Sequence, residues 1–214
     1  LLEEKSPVGG ERIAATLWPD IDLAGGGLGS GFYSTITHAR KALGGPDTVR
    51  TASGCYSLSL RYRYDVEEFE QKLNRAERQF DPLVRIELLE GAMELYSSDF
   101  LGGGEMDWMQ VRRQALREKW LKVLRLLAEA YTAAHRPEEA LATWFKAMNA
   151  EPFDEQPLRS YTTLLSDLKS KTIAVNFLRR KVDALQEEGI QPEDATLNLL
   201  EALDASRTIS KRRA

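Results

Sequence analysis

The side chains that commonly do chemistry are few in this chain and stand apart. His38 and His135 are its only histidines, and neither lies in a metal-ligand pattern. Cys55 is the single cysteine; it sits beside Tyr56 in a stretch that reads as a strand, a setting for packing rather than for a reactive thiolate. The acidic pairs Glu138-Glu139 and Glu187-Glu188 fall at helix starts or on exposed faces, where carboxylates are solvated. The glycine run Gly25 to Gly31 would cradle phosphate only if an apolar strand fed it and Gly-Lys-Ser/Thr closed it, and it has neither. The expectation is therefore a binding protein and not an enzyme, with no catalytic residue, metal or cofactor.

Two groups of polar residues have types suited to binding. Along Phe32 to Leu43, one helix face carries Tyr33, Ser34, Thr37, His38, Arg40 and Lys41, with Arg50 and Thr51 following on a predicted hairpin. Such side chains meet phosphates and base edges, and they equally make the solvated face of an ordinary small domain. Further on, Lys122, Arg125, Glu129 and Thr132 share a face, as do Gln156, Arg159, Thr163 and Ser166. Lys122, Arg125 and Arg159 would form a cationic strip for an acidic peptide or carboxylate, with a plain polar helix surface as the alternative.

The elements that must position these residues fall into three zones. Leu1 to about Tyr64 is mixed α/β. Apolar spacing predicts a helix over Glu11–Trp18, closed by Pro19-Asp20, then a glycine loop. A second helix follows over Phe32–Leu43, burying Phe32, Ile36, Ala39 and Leu43 and stopping at Gly44-Gly45-Pro46. Thr48–Leu60, broken at Ser53-Gly54, reads as a β-hairpin. Helix, loop, helix, hairpin is the order of a winged helix–turn–helix. From Asp65 to about Gly104 two helical stripes follow, Phe69-Leu73-Ala76-Phe80 and Ile86-Leu89-Ala92-Met93-Tyr96. The third zone, Trp108 to Leu203, carries the clearest pattern: Leu124, Leu127, Ala128 and Tyr131, then Ala140, Trp144, Ala147 and Pro152. That is the alternation of small and large residues in a tetratricopeptide-like helix pair of about 34 residues. Ala140 maps one repeat on to Ala174, with Leu158, Tyr161, Leu165 and Leu178 also apolar. A last helix over Glu193–Leu203 would cap the stack, and Ser206 to Ala214 reads as a frayed basic tail.

Composition fits this outline. The chain has 214 residues, a net charge of −4 and 29% charged residues, so it is no polybasic nucleic-acid binder as a whole. One cysteine excludes an internal disulfide framework and suits a reducing cytoplasm. No apolar run approaches the roughly 18 residues that span a bilayer. The chain opens at Leu1 without methionine and reads as a piece of a longer polypeptide.

At this point the chain resembles, over nearly its full length, the bacterial transcriptional activator domain family of antibiotic-regulatory-type activators. Leu17-Trp18-Pro19-Asp20 is similar to the end of that family's second helix. Thr37-His38-Ala39-Arg40-Lys41-Ala42-Leu43-Gly44 looks like the end of its recognition helix, and Ser53-Gly54-Cys55-Tyr56-Ser57-Leu58 like its wing strand. Asp65-Val66-Glu67-Glu68-Phe69-Glu70 resembles the start of its helical domain. Ser98-Asp99-Phe100-Leu101 with Asp107-Trp108 and Arg113 resembles its inter-repeat connection, and Leu185 to Pro192 its closing segment. The order of the six, more than any one, carries the likeness.

The resemblance implies a mainly α protein: a partial winged helix–turn–helix over residues 1–64, a tetratricopeptide-like activator domain over 65–205, and a basic tail over 206–214. It implies double-stranded DNA on Tyr33, Ser34, Thr37, His38, Arg40, Lys41, Arg50 and Thr51. It also implies a protein or peptide partner, or a second protomer, at the repeats, where the groove candidates are Lys122, Arg125, Glu129, Arg159 and Thr163. The expected function is transcription regulation in the cytoplasm, away from any membrane. The alternative is an interaction adaptor of the same architecture that has lost DNA binding. It draws on the charge of residues 1–64, where seven basic residues face six acids.

Overall fold

The computed structural model describes residues 1–2, 7–20, 27–104 and 106–213, the last eight of these as backbone only. The chain divides into two compact units, one of Leu1–Asp65 with Leu101–Arg112, the other of Val66–Phe100 with Arg113–Ala214.

The first unit is a small head. A two-residue strand β1 (Val8–Gly9) leads into α1 (Gly10–Leu17), and α2 (Ser30–Ala42) is followed by a 3-10 turn at Pro46–Thr48 and by strands β2 (Val49–Ala52) and β3 (Cys55–Leu58). The sheet is antiparallel in the order β1-β3-β2, with Val8 opposite Tyr56 and Thr51 opposite Tyr56 on the other side. The sequence reading placed no strand before the first helix; two residues carry no periodicity that could announce one. The hairpin turn at Ser53 (φ 48°) and Gly54 (φ 75°) has the two left-handed residues that a tight two-residue connection needs. α2 begins two residues inside the glycine run, at Ser30, while Gly25 and Gly26 lie outside the described residues. It ends where Gly45 N–H donates to Arg40 O, with Gly44 at φ 101°. Phe32, Ile36, Ala14, Val49 and Tyr56 make the head's core, and Phe32 meets Tyr56 edge-on at 5.3 Å. Leu43, expected in that core, caps α2 and is 43% exposed.

The second unit is a stack of helices: α3 (Asp65–Glu77), α4 (Pro82–Leu95), the long α5 (Asp107–Ala133, whose first turns belong to the head), α6 (Pro137–Ala150), α7 (Glu155–Leu168), α8 (Lys171–Glu187) and α9 (Asp194–Arg213). Asp81, Asp154 and Ser170 cap α4, α7 and α8, each accepting from the backbone N–H two residues on. The turn between α5 and α6 closes with Arg136 N–H on Tyr131 O, and His135 there holds φ 57°, where glycine would ordinarily serve. The repeat pattern is the buried surface: Leu124, Ala128, Tyr131, Ala140, Trp144 and Ala147 are all buried, as are Leu158, Leu165, Ala174 and Leu178 one repeat later. Phe80 is the exception, 96% exposed, because α3 stops at Glu77 and the turn to α4 swings Phe80 off its stripe. The backbone also stays helical to Arg213, through the segment read as a frayed tail. No helix among the described residues is long and apolar enough to cross a membrane. The fold is thus mainly helical, a partial winged helix followed by tetratricopeptide-like repeats.

Candidate nucleic-acid interface and repeat surface

In the head, the side of α2 away from Phe32 and Ile36 stands in solvent: Tyr33, Ser34, Thr37, His38 and Lys41 are all exposed. Thr37 Oγ1 donates back to Tyr33 O at 2.8 Å, and Tyr33 meets Phe32 edge-on at 5.6 Å, which orients both side chains. Lys41 has no partner among the described residues. Neither has Arg50, which is exposed on β2.

Arg40 is placed differently. Its Nε and Nη2 donate to Val49 O at 2.9 and 2.7 Å, and Nη2 donates to Thr51 Oγ1 at 2.8 Å. The planar guanidinium bridges helix and strand with fixed geometry, a task a lysine could not duplicate. Arg40 and Thr51, expected as DNA contacts, therefore join β2 to α2. Arg50 and Thr51 also lie on opposite faces of β2, since successive strand residues alternate. The structure brings together Tyr33, Ser34, Thr37, His38 and Lys41, and separates Arg40 from them. Gly10 completes the fit of strand and helix: a Cβ there would stand 2.5 Å from Leu28 Cδ1, 3.1 Å from the Tyr56 ring and 3.4 Å from that of Phe32.

In the helical unit, the expected cationic strip is spent internally. Lys122 pairs with Glu77 of α3 at 2.5 Å, and Arg125 reaches Asp154, the α7 cap, at 3.3 Å. Arg159 Nη1 donates to Glu193 at 2.5 Å and to Thr196 Oγ1 at 3.0 Å, tying α7 to the start of α9. Thr163 Oγ1 donates to Arg159 O within its own helix, and only Glu129 of the five stands exposed without a partner among the described residues. Each of the three cations thus has an acid partner from another part of the stack: Glu77 in α3, Asp154 at the cap of α7 and Glu193 just before α9.

Sequence reasoning missed two other features. Glu155, the first residue of α7, is 3% exposed and accepts from Glu193 N–H with both carboxylate oxygens, at 3.0 and 3.1 Å. It caps the entry to α9 from a neighbouring helix; the clue was its place directly after the Asp154 cap. Tyr131 Oη donates to Glu90 at 2.5 Å, and Arg136 lies over the Tyr131 ring at 4.7 Å. Burial, then the Glu90 hydrogen bond and charge, push the Tyr131 phenol up to about 12. No group of three or more His, Cys, Asp or Glu among the described residues could hold a metal ion.

The model of a family described as the bacterial transcriptional activator domain matches residues 64–203. Among solved structures, Mycobacterium tuberculosis EmbR in complex with a low-affinity phosphopeptide is similar over 99% of this chain, at 20% sequence identity and a TM-score of 0.68. This chain spans 62% of the length of that one. No curated protein matches the sequence.

Proposed function

We propose, from the premise that this chain belongs to the bacterial transcriptional activator domain family, that it regulates transcription by binding double-stranded DNA through its head and a protein partner through its helical unit. One observation carries the DNA half: an exposed polar face on α2 beside a hairpin fixed to the same helix by Arg40. On this reading Lys41 and Arg50 neutralise phosphates, while Tyr33, Ser34, Thr37 and His38 meet sugar, phosphate and base edges. Arg40 and Thr51 set the angle between helix and wing. The helical unit, residues 65–205, receives a peptide or a second protomer; the head, residues 1–64, reads the duplex. The protein acts in the cytoplasm by binding and makes no bond.

The test is fluorescence anisotropy of the full chain on a labelled duplex from its own upstream region. Binding should weaken as salt rises, and the Lys41→Ala/Arg50→Ala double variant should bind at least tenfold more weakly. No binding at low salt, or a double variant equal to the parent, overturns the DNA half. The competing reading is an interaction adaptor, favoured by the near-balance of charge in residues 1–64, seven basic residues against six acids. It predicts that first outcome.

A further inference from the structure

α7 packs against both α6 and α8, and one aromatic ring from each helix joins a row across them. Phe145 of α6 lies 5.6 Å from Tyr161 of α7, and Tyr161 lies 5.0 Å from Phe177 of α8, centroid to centroid. Each ring is next in sequence to a buried residue, Trp144, Thr162 and Leu178, and so stands at the margin of its helix's buried face. The row is open. Phe145 is 45% exposed, Ile173, one turn before Phe177, is 53% exposed, and the Tyr161 and Phe177 rings are half-buried. A lone exposed apolar side chain is ordinary on a protein surface. Several that adjoin across three helices make a continuous apolar strip, the kind of surface that marks an interaction site.

The charge around the strip has one sign. On a helix, the neighbours of a side chain stand three and four residues away. For the three rings those positions are apolar except Asn149 on α6 and Arg180 and Lys181 on α8, one turn after Phe177. Lys181 has no partner among the described residues, and Arg180 donates to Asn176 O of its own helix at 3.2 Å. The Tyr161 hydroxyl likewise has no hydrogen-bond partner among the described residues. An apolar strip with two cations at one end is complementary to apolar side chains followed by acids. A second copy using the same strip would bring two more cations to it and no acid. Nucleic acid fits less well, because the rings tilt 47° and 53° against one another and make no parallel platform for successive bases.

We propose that this strip docks an acidic, amphipathic segment of a partner protein, its apolar side chains over Phe145, Phe177 and Ile173 and its carboxylates on Arg180 and Lys181. The Tyr161 hydroxyl is a further donor to the segment. Cations at one end only give the bound segment a direction, acids toward the C-terminal half of α8. Aromatic anchors of this kind carry most of the binding energy in protein interfaces, and Arg adds to it. The proposal rests on the partner half of the function above and names the partner's chemistry.

The experiment is methyl NMR of the full chain titrated with acetyl-Leu-Phe-Glu-Glu-amide, acetyl-Leu-Phe-Lys-Lys-amide, acetyl-Ser-Ser-Glu-Glu-amide and a short oligothymidylate. The first peptide should shift the methyls of Leu141 and Ile173 saturably, at least fivefold more tightly than any of the others. Phe145→Ala removes the exposed ring of α6 and should weaken that peptide at least tenfold. Should Phe145→Ala lose the fold, Arg180→Glu/Lys181→Glu changes only the charge beside the strip and should reverse the preference between the Glu-Glu and Lys-Lys peptides. Equal response to the three peptides, an unchanged preference in the charge variant, or tighter binding of the oligothymidylate at the same methyls overturns the proposal. Shifts confined to other methyls of the helical unit overturn the strip and leave partner docking standing; no shift anywhere in that unit counts against both.

Discussion

Replacing Arg40 by alanine separates a residue that touches DNA from one that shapes the surface touching it. Arg40 makes three hydrogen bonds to Val49 O and Thr51 Oγ1 from a half-buried position. Bonds from a charged donor contribute about 1.5–3 kcal/mol when dry. Discounted for solvent at this site, their loss should free the wing by about 1–2 kcal/mol, a factor of roughly 5–30 in affinity if the docked wing is the binding form. Lys41→Ala could lower affinity as much, so affinity alone decides nothing. Salt dependence does decide. Each neutralised phosphate adds about −0.9 to the slope of log K against log salt, so Lys41 and Arg50 together give roughly −1.8, or about a twelvefold loss between 50 and 200 mM. Lys41→Ala should bring the slope to about −0.9. Arg40→Ala should lower affinity at every salt concentration and leave the slope at its parental value. Arg40→Lys keeps the charge but not the fork and should behave like the alanine variant. A slope flattened by about 0.9 in Arg40→Ala, or a fully active Arg40→Lys, would refute the assignment.

Other variants probe the remaining contacts. Gly10→Ala forces a Cβ into Leu28, Tyr56 and Phe32 and should destabilise the head by about 1–3 kcal/mol, seen as a lower first transition in calorimetry with the helical unit's transition unmoved. Arg159→Ala leaves the buried Thr196 hydroxyl and the Glu193 carboxylate without their donor. It should speed hydrogen exchange in the first turns of α9 about tenfold while α5 and α6 keep their protection, and equal protection everywhere would dismiss the staple. Tyr131 gives a pH signature. Its phenol, near 10 when unfolded and about 12 in the fold, binds its proton more tightly in the native state. Stability from this group is therefore full below pH 10 and lost as pH rises from 10 through 12, by an amount on the order of 1–3 kcal/mol. Tyr131→Phe should remove that alkaline loss and the highest-titrating phenolate step in the ultraviolet spectrum; a wild-type chain without such a step contradicts the burial argument.

What was legible in the sequence, and what was not, divides along one physical line. Apolar positions announce themselves by period, because a buried face is mostly apolar whatever lies opposite. Leu124, Ala128, Ala140 and Trp144 could be placed from spacing alone, and so could the stop at Gly44-Gly45 and the turn at Ser53-Gly54. The fate of a charge depends on what another element presents, and period is silent on that. Lys122, Arg125 and Arg159 looked like an open strip because Glu77, Asp154 and Glu193 are remote in sequence and adjacent only after packing. Arg40 did carry a signal. It follows Phe32 and Ile36 at successive intervals of four, on the row that faces the hairpin, so its side chain continues the buried stripe. Treating Ala39 and Leu43 as that stripe turned Arg40 outward on paper.

The same division bears on where a partner could bind. Charges already paired across helix junctions offer a ligand little, since it would have to displace a partner held at 2.5 to 3.3 Å. A partner gains more from side chains that packing leaves uncommitted among the described residues, such as Lys41 and Arg50 on the head and Glu129 on α5, because nothing has to be broken before the new contact forms.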